Sequence, residues 1–407
     1  MNDPLDASNI QKLPLSLRRQ ALSALNFSSP ASLSSLRALC TQRTLEIYQA
    51  PLLPVFYLSL RDSATPTSSE LELHLAQNTL GRVLDRPLAV LHRLTFHIFS
   101  RIGKAAFQRF WIELWRWLSF LDDHRELLRG YRNADGVLEE YHVSIFLTRI
   151  IYPLVSDSGE IYDDIIAPQA GVFTLVARAW RHTAVEAGKV PADQLTLHVH
   201  LGTALRRMAP LLSTFATALP LRRDDLIAGL GEGATICDLA TLLVSYANTL
   251  LSQSSGSDTS AMTSVVKFGF VPSSFLREDT QLVIAQRFLP HLIRAGFLEV
   301  LFRVLWAIQA AESRWSELEL AGVQHWYAIL YYAVVLCNKV PVMAKLIRNR
   351  VLDIILRAVL LSDRQDAKAI GYPWFAAFKN YLAYGRVVAD LGPTASSTTR
   401  NVHWILG

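Results

Sequence analysis

Charge is scarce in this chain. Asp, Glu, Lys and Arg make up 18% of its 407 residues, against about 25% in an average soluble domain. With 51% hydrophobic residues, much of the chain must be hidden in a core, against a partner or against lipid. Basic runs are missing too. The formal net charge is only +5, and no stretch concentrates Lys and Arg as nucleic-acid binders do. Arg82, Arg86, Arg93, Arg101, Lys104 and Arg109 come nearest, and their spacing reads as a solvated helix face. No nucleic acid is expected as a partner. Arginine outnumbers lysine, which suits buried or interfacial pairing through the planar guanidinium.

Cysteine is sparse. Cys40, Cys237 and Cys337 lie far apart, with no C-x-x-C pair and no Cys/His cluster at metal-ligand spacing. No metal or other cofactor is expected. An odd number of thiols behind a polar start, Met1-Asn2-Asp3-Pro4, predicts an intracellular setting, cytoplasmic or nuclear. Long apolar runs are also few. Trp326 to Cys337 is nearly pure apolar for 12 residues, where a membrane span needs about 20. Gln324 and His325 precede it, and Asn338, Lys339 and Pro341 follow. The run reads as a buried central helix, with a membrane-associated helix as the alternative.

Signatures of catalysis are missing as well. There is no G-x-S-x-G elbow, H-E-x-x-H or P-loop. His198-x-His200 has no acid-rich partner motif; on a strand both would share a face, but on a helix they point apart. Gly229-Leu230-Gly231-Glu232-Gly233 precedes an apolar segment, yet lacks the G-x-G-x-x-G spacing and carries an acid that would repel phosphate. It reads as a turn between helices. Adjacent acids at Asp122-Asp123, Glu139-Glu140, Asp163-Asp164 and Asp224-Asp225 fit helix starts better than an acid/base pair.

What is present is helical periodicity almost throughout. A phrase recurs: a helix ends, Gly or Pro turns the chain, and a strongly apolar helix begins. It occurs around Gly171 (Ile166 to Val176) and around Gly296 (Leu292 to Leu301), and it is the grammar of stacked helical repeats. Ser29-Pro30 opens a helix that Pro51 and Pro54 should stop. Helices follow at about 70–81, 85–101, 104–129 and 137–152, and later near 277–289, 291–311, 314–337, 341–361 and 373–390. The best strand candidate is short, Leu195 to Val199. The Ser-rich stretch 253–260 reads as a flexible loop between an N-terminal helical region (1–252) and a C-terminal repeat region (261–391); 392–407 reads as a disordered tail.

Phe107, Phe110, Trp111, Trp115, Trp117 and Phe120 form a dense aromatic cluster. Core is the first reading. A partner groove is the second, and under it Trp111, Trp115, Arg116 and Arg109 are the contact residues.

The run Ala21 to Asn26, then Ser28 to Leu33, then Gln49 to Tyr57 resembles the opening of fungal MYND-type zinc-finger proteins, and Leu114 to Leu121 resembles a Trp-rich phrase of that group. The phrases around Gly171 and Gly296 fit its helical body, so the likeness covers most of the chain. It implies partner binding by a helical body. The Cys/His cluster that names the family is absent from this sequence, so no zinc ligand carries over; a lost finger, or one encoded beyond Gly407, would account for that.

Together these readings predict an all-α, irregular armadillo-like helical-repeat (α-solenoid) protein acting as a non-catalytic scaffold for proteins or peptides. An all-α enzyme with a pocket near His198 and His200 is the competing class.

Overall fold

A computed structural model describes residues 3–40, 42–93, 103–128, 162–187, 195–253, 259–280, 282, 287–310 and 317–337. Among these the chain is helical and has no strand. It divides into two compact units. The N-terminal unit comprises Met1–Thr214 and Asp224–Glu232; the C-terminal unit comprises Phe215–Arg223 and Gly233–Gly407.

In the N-terminal unit a 3-10 turn at Ala7–Lys12 leads into α1 (Leu15–Leu25), α2 (Ser32–Leu39) and α3 (Gln42–Arg61). The sequence predicted that Pro51 and Pro54 end a helix; both instead lie inside α3. The reason is a local break at Tyr48 (φ −119°, ψ 26°). It places Pro51 in the first turn of a renewed helix, where a missing N–H costs little. Next come α4 (Ser68–Ala76), α5 (Leu80–Arg93) and α6 (Lys104–Asp123). A reciprocal capping box between Thr67 and Glu70 starts α4. A π turn at Tyr162–Ile166 precedes α7 (Val172–Ala187), α8 (Leu195–Thr214) and α9 (Arg223–Gly229), whose first residue, Arg223, belongs to the C-terminal unit. The candidate strand Leu195 to Val199 is therefore the first turn of α8. A five-residue strand with no neighbour has no ladder for its backbone groups, whereas a helix satisfies them within itself.

The core of this unit forms where α3 packs against the 3-10 turn, α1, α5 and α6. From α6 it takes Phe107, Phe110, Trp111, Leu114 and Trp117, all buried.

The C-terminal unit holds α10 (Ile236–Gln253), α11 (Thr259–Phe268), α12 (Phe270–Asp279), α13 (Leu289–Arg294), α14 (Phe297–Ala310) and α15 (Glu317–Cys337). α15 packs against α11, α12, α13 and α14. Trp326, Ile329, Leu330 and Ala333 are fully buried there, as expected for a central helix. No described helix is long and apolar enough to cross a membrane. The sequence predicted a helix at 277–289, but α12 ends at Asp279. The loop read at 253–260 lies mostly outside the described residues; the helices flanking it, α10 and α11, pack together. The helices read at 137–152, 341–361 and 373–390, and the tail 392–407, lie outside the described residues.

Gly171 and Gly296 turn the chain as the recurring phrase requires. Their φ angles are 85° and 92°, a left-handed conformation that costs other residues about 1–2 kcal/mol. An apolar helix starts at the very next residue in each case.

Many helix ends are closed by side chains from other helices. An α-helix leaves its last four carbonyls without internal donors. Arg86 of α5 donates to the Ala24 carbonyl at the end of α1 (2.7 Å), and the Ser32 hydroxyl donates to the same oxygen (2.7 Å). Trp117 Nε1 donates to Leu60 at the end of α3 (3.1 Å), and Trp326 Nε1 to Val265 near the end of α11 (3.0 Å). Arg181 donates to the Leu230 carbonyl just past α9. At an N-terminus the roles reverse: the buried Asp279 carboxylate accepts the N–H groups of Phe288 and Leu289, both at 2.7 Å, and so starts α13.

Candidate functional site

The residues proposed from sequence lie along α6, but not in one role. Trp111 is 3% exposed and stacks between Phe107 (centroids 6.2 Å apart) and Trp115 (5.8 Å). It is a core residue here. Trp115 is half-buried, and its ring edge lies 3.4 Å from where a Cβ on Gly171 would stand. Arg116 reaches to the end of α3, where one guanidinium nitrogen donates to the carbonyls of Leu60 (2.5 Å), Ser63 (3.0 Å) and Arg61 (3.3 Å). Glu113, one turn back, pairs with it at 3.2 Å. Arg109 is exposed and pairs with Asp3 at 2.5 Å, which holds the Asp3 carboxyl below its ordinary range. Between them Ile112 is 60% exposed. Sequence reasoning passed over Ile112 because a lone Ile on an amphipathic helix carries no outward sign of facing solvent.

The structure also brings together two nucleophile–base pairs that linear spacing hides. Ser68, the first residue of α4, lies with its hydroxyl 3.1 Å from His124 Nε2, and His124 Nδ1 sits 2.9 Å from the Phe120 carbonyl. A carbonyl can only accept, so Nδ1 carries the proton and Nε2 accepts from Ser68. In the C-terminal unit Cys237 Sγ lies 3.1 Å from His291 Nδ1. The partners are separated by 56 and 54 residues respectively. The only local hint is that Ser68 and Cys237 each sit in the first turn of a helix.

His198 and His200 both lie in α8. Two residues apart on a helix means about 200° around the axis, so they do not share a face. Among the described residues no group of three or more His, Cys, Asp or Glu is placed to hold a metal ion. Of the paired acids, Asp224 and Asp225 occupy the first turn of α9, as dipole complementarity predicts. Asp122 instead is buried at the end of α6, 2.6 Å from Arg178 of α7. Asp164 pairs with Lys104. Glu139 and Glu140 lie outside the described residues.

A second histidine in the C-terminal unit supplies a pH response. His325 packs on Phe270 (centroids 4.0 Å) and hydrogen-bonds the Ser273 hydroxyl (2.9 Å). Burial, with Arg277 nearby, lowers its pKa below the ordinary 6.5. A lowered histidine pKa means that the unfolded chain takes up the proton first. The stabilisation is complete above pH about 6.5 and is lost as pH falls towards the folded-state value. The thermal midpoint of the C-terminal unit should therefore drop between pH 7.5 and pH 5, and His325→Phe should flatten that drop. An equally steep decline in the variant would assign it to other groups.

Comparison with family models, with curated proteins and with solved structures finds no match to this chain.

Proposed function

We propose that this protein is a non-catalytic interaction scaffold, and that the outer side of α6 is a contact face for a protein or peptide. The observation that carries the reading is Ile112. It stands 60% exposed on a helix whose opposite side is buried. Arg109 lies three residues before it, and Trp115 and Arg116 lie three and four after, so all four residues share one face. An exposed apolar centre framed by Trp and Arg is the composition of binding hot spots. Trp111 contributes from beneath by supporting Trp115.

The helix-starting turns at Gly171 and Gly296 support an irregular, armadillo-like repeat, in which broad helical surfaces are the usual binding element. The MYND-type resemblance carries the same expectation of a partner-binding helical body, without its zinc. An intracellular setting accords with the free thiol of Cys237.

A photo-reactive residue at position 112 tests the reading. It should capture one defined protein, and Ile112→Asp should weaken that association by about tenfold or more while changing stability by no more than about 0.5 kcal/mol. Undiminished association in Ile112→Asp combined with Arg109→Glu would overturn the assignment of this face. Arg116→Ala is a poorer probe, because it also uncaps α3.

A further inference from the structure

Cys237 and His291 meet on the surface of the C-terminal unit, held by two separate elements. The first turn of α10 is fixed by its own caps. Thr235 Oγ1 accepts the Cys237 N–H (3.2 Å), and Asp238 accepts the N–H (2.8 Å) and hydroxyl (2.7 Å) of Thr235. With its backbone so tied, Cys237 presents an exposed thiol that is in no disulfide. The short helix α13 packs against α10 and delivers His291 Nδ1 to 3.1 Å from the sulfur. Partial burial of His291, with Arg294 on α13 and Arg223 nearby, lowers its pKa below the ordinary 6.5 and so favours the neutral ring. In the tautomer that carries its proton on Nε2, Nδ1 accepts the thiol proton. The nearby acid on α10, Asp238, is engaged by Thr235.

We propose that Cys237 is a site of thiol–disulfide exchange with small anionic disulfides, with His291 as its proton acceptor. The sulfur attacks one sulfur of the disulfide; a new S–S bond forms at Cys237 while the old one breaks. The electron pair leaves with the second sulfur. The thiol proton passes to His291 Nδ1 and from there to the departing thiolate. Cys237 is oxidised to a mixed disulfide, and the small disulfide is reduced by the same two electrons, so no further reagent is needed. Cys237 stands at the start of an 18-residue helix, and Arg294 and Arg223 lie within electrostatic reach of its partner His291; positive charge near the pair favours carboxylate-bearing disulfides over neutral ones. The buried Cys40 has no such access.

Oxidised glutathione and neutral hydroxyethyl disulfide, each added to the full chain, are the probes; intact-mass measurement follows the adduct and peptide mapping locates it. Glutathionylation should fall on Cys237, run about tenfold faster in the native protein than in the same chain unfolded in urea, and slow by at least about tenfold in His291→Gln. The anionic disulfide should outrun the neutral one at low salt, and the difference should shrink at high salt. Equal rates in the native and urea-unfolded chains would overturn the proposal without any variant. So would an adduct on Cys40 or Cys337 in place of Cys237, or an unchanged rate in a folded His291→Gln protein. Equal native rates for the two disulfides would overturn the anionic preference.

Discussion

Replacing Trp326 by alanine should destabilise the C-terminal unit by about 3–5 kcal/mol, the usual cost of removing a fully buried tryptophan. The side chain has no exposed surface, and three contacts converge on it. Its indole N–H satisfies the Val265 carbonyl, which lies among the last four of α11 and has no internal donor. Its face stacks with Phe297 of α14 at 6.4 Å and 25°. Gly269, between α11 and α12, lies so close that a Cβ there would come within 2.7 Å of the indole. Alanine would leave a cavity bordered by three helices and an unpaired carbonyl. Trp326→Phe should keep most of the packing and cost about 2–3 kcal/mol less than alanine, since the residual loss is chiefly the hydrogen bond. Hydrogen exchange of the α11 and α15 amides is the readout, because each 1.4 kcal/mol should accelerate exchange through opening by about tenfold. Protection in Trp326→Ala equal to that of the parent would remove α15 from the centre of this unit.

In the N-terminal unit the larger expected effect is that of Arg178→Ala, and it should depend on pH. Asp122 is buried at the end of α6, with Arg178 at 2.6 Å and Arg125 at 3.9 Å. Burial raises the Asp122 carboxyl above its ordinary value of 3.8, and Arg178 opposes that rise. A raised carboxyl pKa means the folded chain holds this proton more readily than the unfolded chain. The group's contribution is therefore most favourable in acid and declines as pH climbs through the folded-state value. Removing Arg178 withdraws the opposing attraction, so the folded-state value rises further. At neutral pH the variant must bury a poorly paired carboxylate, at a cost of about 2–4 kcal/mol. That is below the full 3–5 of a broken buried pair, because Arg178 is 33% exposed and Arg125 remains. In acid Asp122 is neutral and most of the penalty should vanish. Exchange protection of α6 and α7 at pH 7 and at pH 4 checks this. A penalty of equal size at both would mean that Arg178 stabilises through packing of its stem, not through its charge.

Much of the secondary structure was legible because it depends on local periods. The apolar spacing from Phe107 to Leu121 marks α6 and its buried side, and the segment from Phe297 to Ile308 is apolar almost all round because α14 is covered on several sides. Gly171 and Gly296 announce their turns because only glycine adopts their backbone cheaply. Two local signals misled. Pro51 and Pro54 look like stops because the break at Tyr48, which accommodates Pro51, leaves no mark in composition. Leu195 to Val199 looks like a strand because five residues are too few to separate a period of 2 from one of 3.6.

The candidate sites divide along the same line. The sequence by itself determined that the chain is all-α, that the α6 aromatics are concentrated on one helix, and that glycine turns open α7 and α14. Those facts rest on neighbours within about four residues. Only the tertiary structure decided that Arg116 caps α3, that Trp111 lies inside while Ile112 lies outside, and that Cys237 meets His291. Each is a contact across 50 or more residues or a choice of which helix face is covered. Such contacts are set by which oily surfaces find one another, and a one-dimensional period fixes the width of a helix's apolar stripe without saying what lies against it.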